Sequence, residues 1–248
     1  MVLEGKTAIV YGGGGAIGGA VSRAFARQGA RVFLTGRSRA PLEQVAAEIR
    51  AGGGVAETAQ LDALDPAAVA EHAASVVRTA GRLDISFNAV DLDEVQNVPL
   101  VEMRLEDFMS PIVKAARTHF VTATTAARLM SKQRSGVIVL LSSSATLESR
   151  HQMGGFNLAC ALVEALTRSL AGEVGRLGVR VVGLRPNFTP ETRPGLREED
   201  LPFLVEDTVL GRLPRLAEVA AGAVYLASDA AAPMSGAVLN LSCGAVLN

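Results

Sequence analysis

The sequence predicts an α/β protein built on a doubly wound parallel sheet of about seven strands, with helices on both faces. Three observations predict it. Strand-like apolar runs alternate with helix-like runs along the whole chain. The strand runs are near-continuous in apolar residues, as strands buried on both faces require. The first of them, Thr7-Ala8-Ile9-Val10-Tyr11, ends in four consecutive glycines, Gly12 to Gly15, which open onto a helix-like stretch.

The elements follow in order. After the glycine turn comes a helix over Ala20–Gln28, then a second strand at Arg31–Thr35. A helix over Ala40–Ala51 is closed by Gly52-Gly53-Gly54. A strand at Val55–Leu61 leads to a helix at Pro66–Thr79, and another strand spans Leu83–Asn88. A long helical stretch then runs to Lys132. Within it Ser110-Pro111 reads as an N-cap followed by a proline whose missing N–H is harmless at a first helical position, so the straight part is expected to start there. A strand at Val137–Leu141, a helix at Phe156–Val174, a strand at Val179–Leu184, a helix at Leu216–Ala227 and a strand at Ala237–Leu241 complete the series. The segment 186–212, rich in Pro, Glu, Asp and Arg, interrupts it. Such loops in compact domains commonly act as lids, and a substrate lid is expected here rather than a loosely ordered insertion. No linker-like shift in composition divides the chain, so one domain over 1–248 is expected.

Gly13-x-Gly15-x-x-Gly18 fits the dinucleotide-binding (Rossmann) fingerprint in its strand–turn–helix context. Glycines let the backbone approach a pyrophosphate, and the helix N-terminus supplies N–H donors and a positive dipole end. Gly12, Gly14, Gly15, Ile17 and Gly18 are the expected pyrophosphate contacts. Turn geometry alone does not account for four successive glycines, each costing about 0.5–1 kcal/mol relative to alanine. Ala16 within the turn implies a negative φ, since a left-handed alanine costs roughly 1–2 kcal/mol. An NAD-specific site wants an acid about 20 residues past the glycines. The second strand instead runs into Gly36-Arg37-Ser38-Arg39, and the first acid is Glu43. A guanidinium fork at Arg37 suits a 2′-phosphate, which favours NADP(H) over NAD(H). Asp62 and Ala63 follow the third strand: Asp62 would accept from the adenine amino group, or else cap the helix near Pro66. Asn88-Ala89 would lie near the adenosine ribose, because ligands sit outside the carboxyl ends of such strands.

Composition narrows the class. The 248 residues are 49% hydrophobic and carry a net charge of −1, with no basic footprint for nucleic acid or an anionic membrane. Cys160 and Cys243 are the two cysteines, which is no disulfide framework and fits a reducing compartment. Glu4 and Lys6 precede a strand that begins almost at once, leaving no room for a signal peptide, and no apolar stretch has the length of a membrane span. A soluble cytoplasmic protein acting on a small molecule or nucleotide is expected, and no metal-ligand set stands out.

Over essentially its whole length the chain resembles the short-chain dehydrogenase/reductase family. Tyr11-Gly12-x-x-x-Ala16-Ile17-Gly18 is similar to the family's Thr-Gly-x-x-x-Gly-Ile-Gly, and Asn88-Ala89-Val90-Asp91 to Asn-Asn-Ala-Gly. Leu141-Ser142-Ser143-Ser144 resembles the fifth-strand serine motif. Arg185-Pro186-Asn187 resembles the Pro-Gly after the sixth strand, which places Pro186 at the cofactor. Ala227-Ser228-Asp229 and Ser235-Gly236 resemble the C-terminal signature. The resemblance implies an Asn-Ser-Tyr-Lys group: Tyr as general acid/base, Lys on the nicotinamide ribose, Ser on the substrate oxygen, Asn on a relay water. Ser143 matches the Ser. Phe156 stands at the Tyr position, Cys160 at the Lys position and Ala115 at the Asn position. The tyrosines are Tyr11 and Tyr225 and the lysines Lys6, Lys114 and Lys132, so no register yields Tyr-x-x-x-Lys. Phe156, Cys160, Val163, Thr167, Leu170 and Val174 instead share one helical stripe, an apolar seam.

Substitute proton carriers are His151, ahead of Phe156, and His119, one turn after Ala115; either is a structural histidine otherwise. Cys160 reads as a buried, inert thiol rather than a nucleophile. Glu191 and Thr192 would touch the nicotinamide carboxamide or the substrate. Two functions follow. One is an NADP(H)-binding oxidoreductase that keeps Ser143 alone of the tetrad and passes hydride to a carbonyl or activated alkene. The other is an inactive nucleotide sensor or partner subunit in a hetero-oligomer. The resemblance also implies a homo-oligomer, tetramer or dimer, through the helices near 105–132 and 156–174.

Overall fold

The computed structural model describes residues 1–148 and 150–247. Its strands are β1 (Thr7–Tyr11), β2 (Arg31–Gly36), β3 (Val55–Gln60), β4 (Ile85–Asn88), β5 (Gly136–Leu141), β6 (Val179–Pro186) and β7 (Val238–Leu241). Its helices are α1 (Ala16–Arg27), α2 (Arg39–Ala51), α3 (Pro66–Ala80), α4 (Leu105–Gln133), α5 (Phe156–Val174), α6 (Pro202–Glu206) and α7 (Leu216–Ala227). The seven strands form one parallel sheet in the order β3-β2-β1-β4-β5-β6-β7. The chain turns back on itself between β1 and β4, whose ends lie side by side with Tyr11 opposite Asn88. In such a sheet that reversal point opens the binding crevice.

Period-two side chains explain the two cores. Val10, Leu34 and Phe87 point to one face and pack with Val21 and Phe25 of α1, Leu42 of α2 and Leu226 of α7. Ile9, Phe33, Ile138 and Leu140 point to the other and pack with Val69 of α3, Met130 of α4 and Val163 of α5. Among the described residues no helix is long and apolar enough to cross a membrane.

Three expectations are corrected. The helix after the glycine turn starts at Ala16 rather than Ala20, with no positive φ there. The Ser110-Pro111 start is displaced: α4 begins at Leu105 and runs through Pro111. Phe108 N–H already donates to the Arg104 carbonyl at 3.1 Å, closing the first turn upstream, and the buried proline ring packs toward Gly155 at the start of α5. Helix α3 is capped by Asp65, whose Oδ1 accepts from Ala67 N at 2.9 Å and Ala68 N at 3.1 Å, leaving Asp62 to bind Leu64 N in a local turn. The 186–212 segment contains the short helix α6.

A buried ion pair ties this frame together, and a buried histidine stands apart from it. Arg185 on β6 and Glu164 on α5 are each 5% exposed and meet in a bidentate pair, Nε to Oε1 at 2.7 Å and Nη2 to Oε2 at 2.6 Å. Ser142 at the end of β5 adds its hydroxyl to Glu164 Oε1 at 2.9 Å. His119 on α4 is 2% exposed, its Nδ1 finds no partner among the described residues, and burial pulls its pKa down to about 4. Glu164→Ala leaves Arg185 buried without that carboxylate, and we expect a loss of about 3–5 kcal/mol in urea unfolding. His119 stays neutral when folded but takes up a proton when unfolded below its ordinary 6.5. Stability is therefore full above pH 6.5 and falls as pH drops toward 4, by about 3 kcal/mol in all. His119→Leu should flatten that slope in denaturation curves recorded between these limits.

Candidate active site

The carboxyl ends of β1, β4, β5 and β6 carry the chemistry. At β1 the turn is set by two backbone approaches. Gly12 has φ +75° and its α-carbon faces the Ala89 carbonyl so closely that a side chain would collide with it. Gly18 lies flat on the Gly12 carbonyl, where a Cβ would overlap the oxygen. Together these seat the α1 N-terminus directly over the end of β1. Gly15 is the N-cap and offers no capping side chain. The N–H groups of the first turn, including those of Ile17 and Gly18, are thus left to a ligand. Gly14 packs beside Pro41 and Leu42 of α2. This donor set, with no Cβ in the way, fits a dinucleotide pyrophosphate.

The other expected nucleotide contacts sort by exposure. Arg37 is exposed, and its guanidinium makes no hydrogen bond or ion pair among the described residues. Its charge reaches across to Asp93, whose carboxyl is lowered chiefly by its bond to Lys114 and secondarily by Arg37. Asp62 is exposed, whereas Ala63 is 7% exposed and its methyl belongs to the core. Asn88 is 1% exposed; its Nδ2 donates to Thr122 Oγ1 at 2.9 Å and its Oδ1 accepts from Val90 N at 3.0 Å. Both ends of that amide are spent holding the loop after β4, so Asn88 shapes the crevice through Ala89 rather than by its own side chain. Pro186 closes β6, and the next residue is pinned to β5: Asn187 Oδ1 accepts from Ser144 Oγ at 2.9 Å and from Phe188 N at 2.8 Å.

Just past β5, Ser143 is half-buried, and its Oγ accepts from Ala145 N at 3.3 Å. Phe156 begins α5 and is partly buried. Cys160 is 3% exposed, and burial, aided by the charges of Glu164 and Glu94, pushes its thiol up to about 12. It is neutral and unreactive at ordinary pH. The buried stripe expected on α5 is present, except that it also holds Glu164, a charged residue the seam did not anticipate.

Of the two histidines, His119 is sealed in the core and neutral, which removes it as a proton carrier. His151 faces the 186–212 segment: its Nε2 lies 2.7 Å from Asp207 Oδ2, and its ring meets Phe203 edge-on at 5.6 Å. Arg150 joins the same cluster, bonding Glu148 and reaching Asp207 Oδ1 at 2.6 Å. Glu148, His151 and Asp207 bring ligand atoms within 4.8 Å of one another, and the Arg150 guanidinium supplies positive charge to both carboxylates. Glu191 is placed elsewhere than expected: its Oε1 accepts from Leu216 N at the start of α7, at 3.3 Å. Thr192 is likewise spent locally, on the Thr189 carbonyl at 2.7 Å.

Glu94 was not anticipated. It follows the β4 loop, is only 12% exposed at its side chain, and lies 3.6 Å from Arg193. Burial raises its pKa, aided by the charges of Asp91 and Asp93 and opposed by Arg193. The only sequence signal was a run of acids, Asp91-x-Asp93-Glu94, where the family motif has a glycine.

A family model described as enoyl-(acyl carrier protein) reductase matches residues 14–245. Galactitol 2-dehydrogenase of Rhizobium johnstonii is 31% identical over 256 residues, spanning 98% of this chain and 95% of its own. The 3-oxoacyl-[acyl-carrier-protein] reductase of Thermotoga maritima is 29% identical over 254 residues, with all of both chains covered. In structure, a short-chain type dehydrogenase/reductase from Mycobacterium marinum superposes with a TM-score of 0.89 at 28% identity, covering 99% of this chain and 97% of that one. With its seven-stranded parallel sheet, glycine turn and serine after β5, the chain belongs to the short-chain dehydrogenase/reductase family of oxidoreductases.

Proposed function

We propose that this chain is an NADP(H)-dependent oxidoreductase that works without the family's Tyr-Lys pair, on a cleft keeping Ser143 alone of the usual tetrad. The observation that carries the reading is an intact nucleotide crevice beside an altered proton-transfer wall. Gly12, Gly15 and Gly18 set a bare α1 N-terminus over β1, while Phe156 and Cys160 stand where an ionisable pair is expected. Arg37, exposed and unpartnered among the described residues, would hold a 2′-phosphate. A bound nicotinamide would supply the hydride. Ser143 would hold the substrate oxygen, and His151 would carry the proton, its ring oriented by Asp207 through Nε2 so that Nδ1 serves the substrate. The names of the relatives, dehydrogenases of sugar alcohols among them, support carbonyl–alcohol chemistry.

In this reading 186–212 is a substrate lid within a single domain, held down by His151–Asp207 and Arg193–Glu94. Exposed Val113 and Phe120 on α4 and Leu158 on α5 would pack against a second copy in a cytoplasmic homo-oligomer.

The deciding experiment follows NADPH absorbance at high enzyme concentration over a carbonyl and activated-alkene panel. Turnover is expected, but slow, since losing a positioned acid costs about 10²–10⁴ in rate. Binding of NADPH without turnover across the panel would favour the nucleotide-sensor reading instead. Arg37→Glu should weaken NADPH about tenfold or more in fluorescence titration while changing NADH much less. Phe156→Tyr with Cys160→Lys should raise carbonyl reduction at least about tenfold, the new ammonium being neutralised by Glu164 and Glu94, whose charges already reach position 160.

A further inference from the structure

The wall that normally donates a proton and a positive charge is, in this chain, a phenyl ring and a neutral thiol. The group that has come closest to replacing it is a carboxylate. Glu94 lies on the segment that runs along the β5–α5 loop. Asn97 N–H donates to the Gln152 carbonyl at 2.8 Å, and the Val95 carbonyl faces Gly154 so closely that a Cβ there would come within 2.8 Å. Gly154 is two residues from Phe156, so the segment carrying Glu94 roofs the start of α5, and its charge is felt at Cys160. Its ion-pair partner is Arg193, and the charges of Asp91 and Asp93 act on it. Asp93 is matched by Lys114. Arg193 is 62% exposed and touches Glu94 only at 3.6 Å, a contact an incoming cation can displace.

We propose that the hydride acceptor of this cleft is a protonated imine, a C=N⁺–H group bound between the Glu94 carboxylate and the Phe156 ring. This rests on the hydride-transfer reading above and narrows its substrate. A carbonyl gathers negative charge on oxygen as hydride arrives and needs an acid or a nearby cation, which α5 does not supply and for which the cleft must turn to His151. An iminium arrives with its proton and loses positive charge in the same step. The imine carbon gains a C–H bond, the C=N π pair becomes the nitrogen lone pair, the nicotinamide is oxidised, and no further proton is required. A half-buried carboxylate and an aromatic face are the partners that a desolvated cation needs. Ser143 is free to bind a polar substituent of the substrate.

The test compares 2-methyl-1-pyrroline with cyclopentanone, using NADPH and the full-length chain. We expect kcat/KM for the imine to exceed that for the ketone by about tenfold or more, and Glu94→Gln to raise KM for the imine about tenfold. As a readout independent of turnover, calorimetry with NADP⁺ present should show 2-methylpyrrolidine, which solvent protonates to an ammonium ion with the charge of the iminium, binding about tenfold more weakly to Glu94→Gln. NADPH titration and melting temperature of that variant should match the parent, which separates a lost contact from a misfolded chain. Reduction of the ketone with none of the imine overturns this inference and leaves the hydride-transfer reading standing. Bound NADPH with neither substrate reduced overturns both. Ketone reduction that Glu94→Gln abolishes would make Glu94 a proton donor to oxygen and overturn the iminium assignment.

Discussion

The close stacking of Gly18 on the Gly12 carbonyl, with Gly12 itself against Ala89, is the constraint from which the functional geometry follows. It forces β1, the α1 N-terminus and the loop after β4 into one junction at the sheet's reversal point. Any Cβ at position 18 would push α1 off the strand, moving its N–H groups away from the crevice and loosening its packing on α2 and α7. Asn88 completes the junction from the other side by spending both ends of its amide on Thr122 and Val90. The junction is therefore backbone architecture, set by residues outside α5.

The wall formed by α5 is a separate layer. Cys160 lies buried there with Glu164, whose carboxylate Arg185 meets bidentately. The pair ties α5 to β6, and Ser142, following β5, bonds the same carboxylate. Charged groups near the carboxyl ends of the strands sit on loops: Glu94 after β4, and the Glu148–Arg150–His151–Asp207 cluster between the β5–α5 loop and the end of α6.

Much of this was legible in the chain itself, because it is local. Strand alternation, the glycine turn, the α5 stripe and the loss of Tyr-x-x-x-Lys are all set by residues within a few positions of one another. The misreadings were also local. Ser110-Pro111 carries an N-cap signal, but Phe108 and Arg104 close the turn earlier and tertiary packing absorbs the proline. Asp62 and Asp65 both suit a cap, and only the three-residue spacing to Ala68 selects Asp65. Glu191 had no marker directing it to the α7 N-terminus rather than the cleft.

The sequence by itself determined the fold class and the glycine turn, since each depends on backbone conformation or residue identity over short spans. Only the tertiary structure decided which charges meet. Glu164 and Arg185 are 21 residues apart, and His151 and Asp207 are 56 apart. Parallel crossovers bring such pairs together at one edge of the sheet, and no local periodicity encodes which partner arrives. For the same reason the glycine turn speaks for a bound dinucleotide, whereas the chemistry done with it depends on loops that converge only when the sheet has formed.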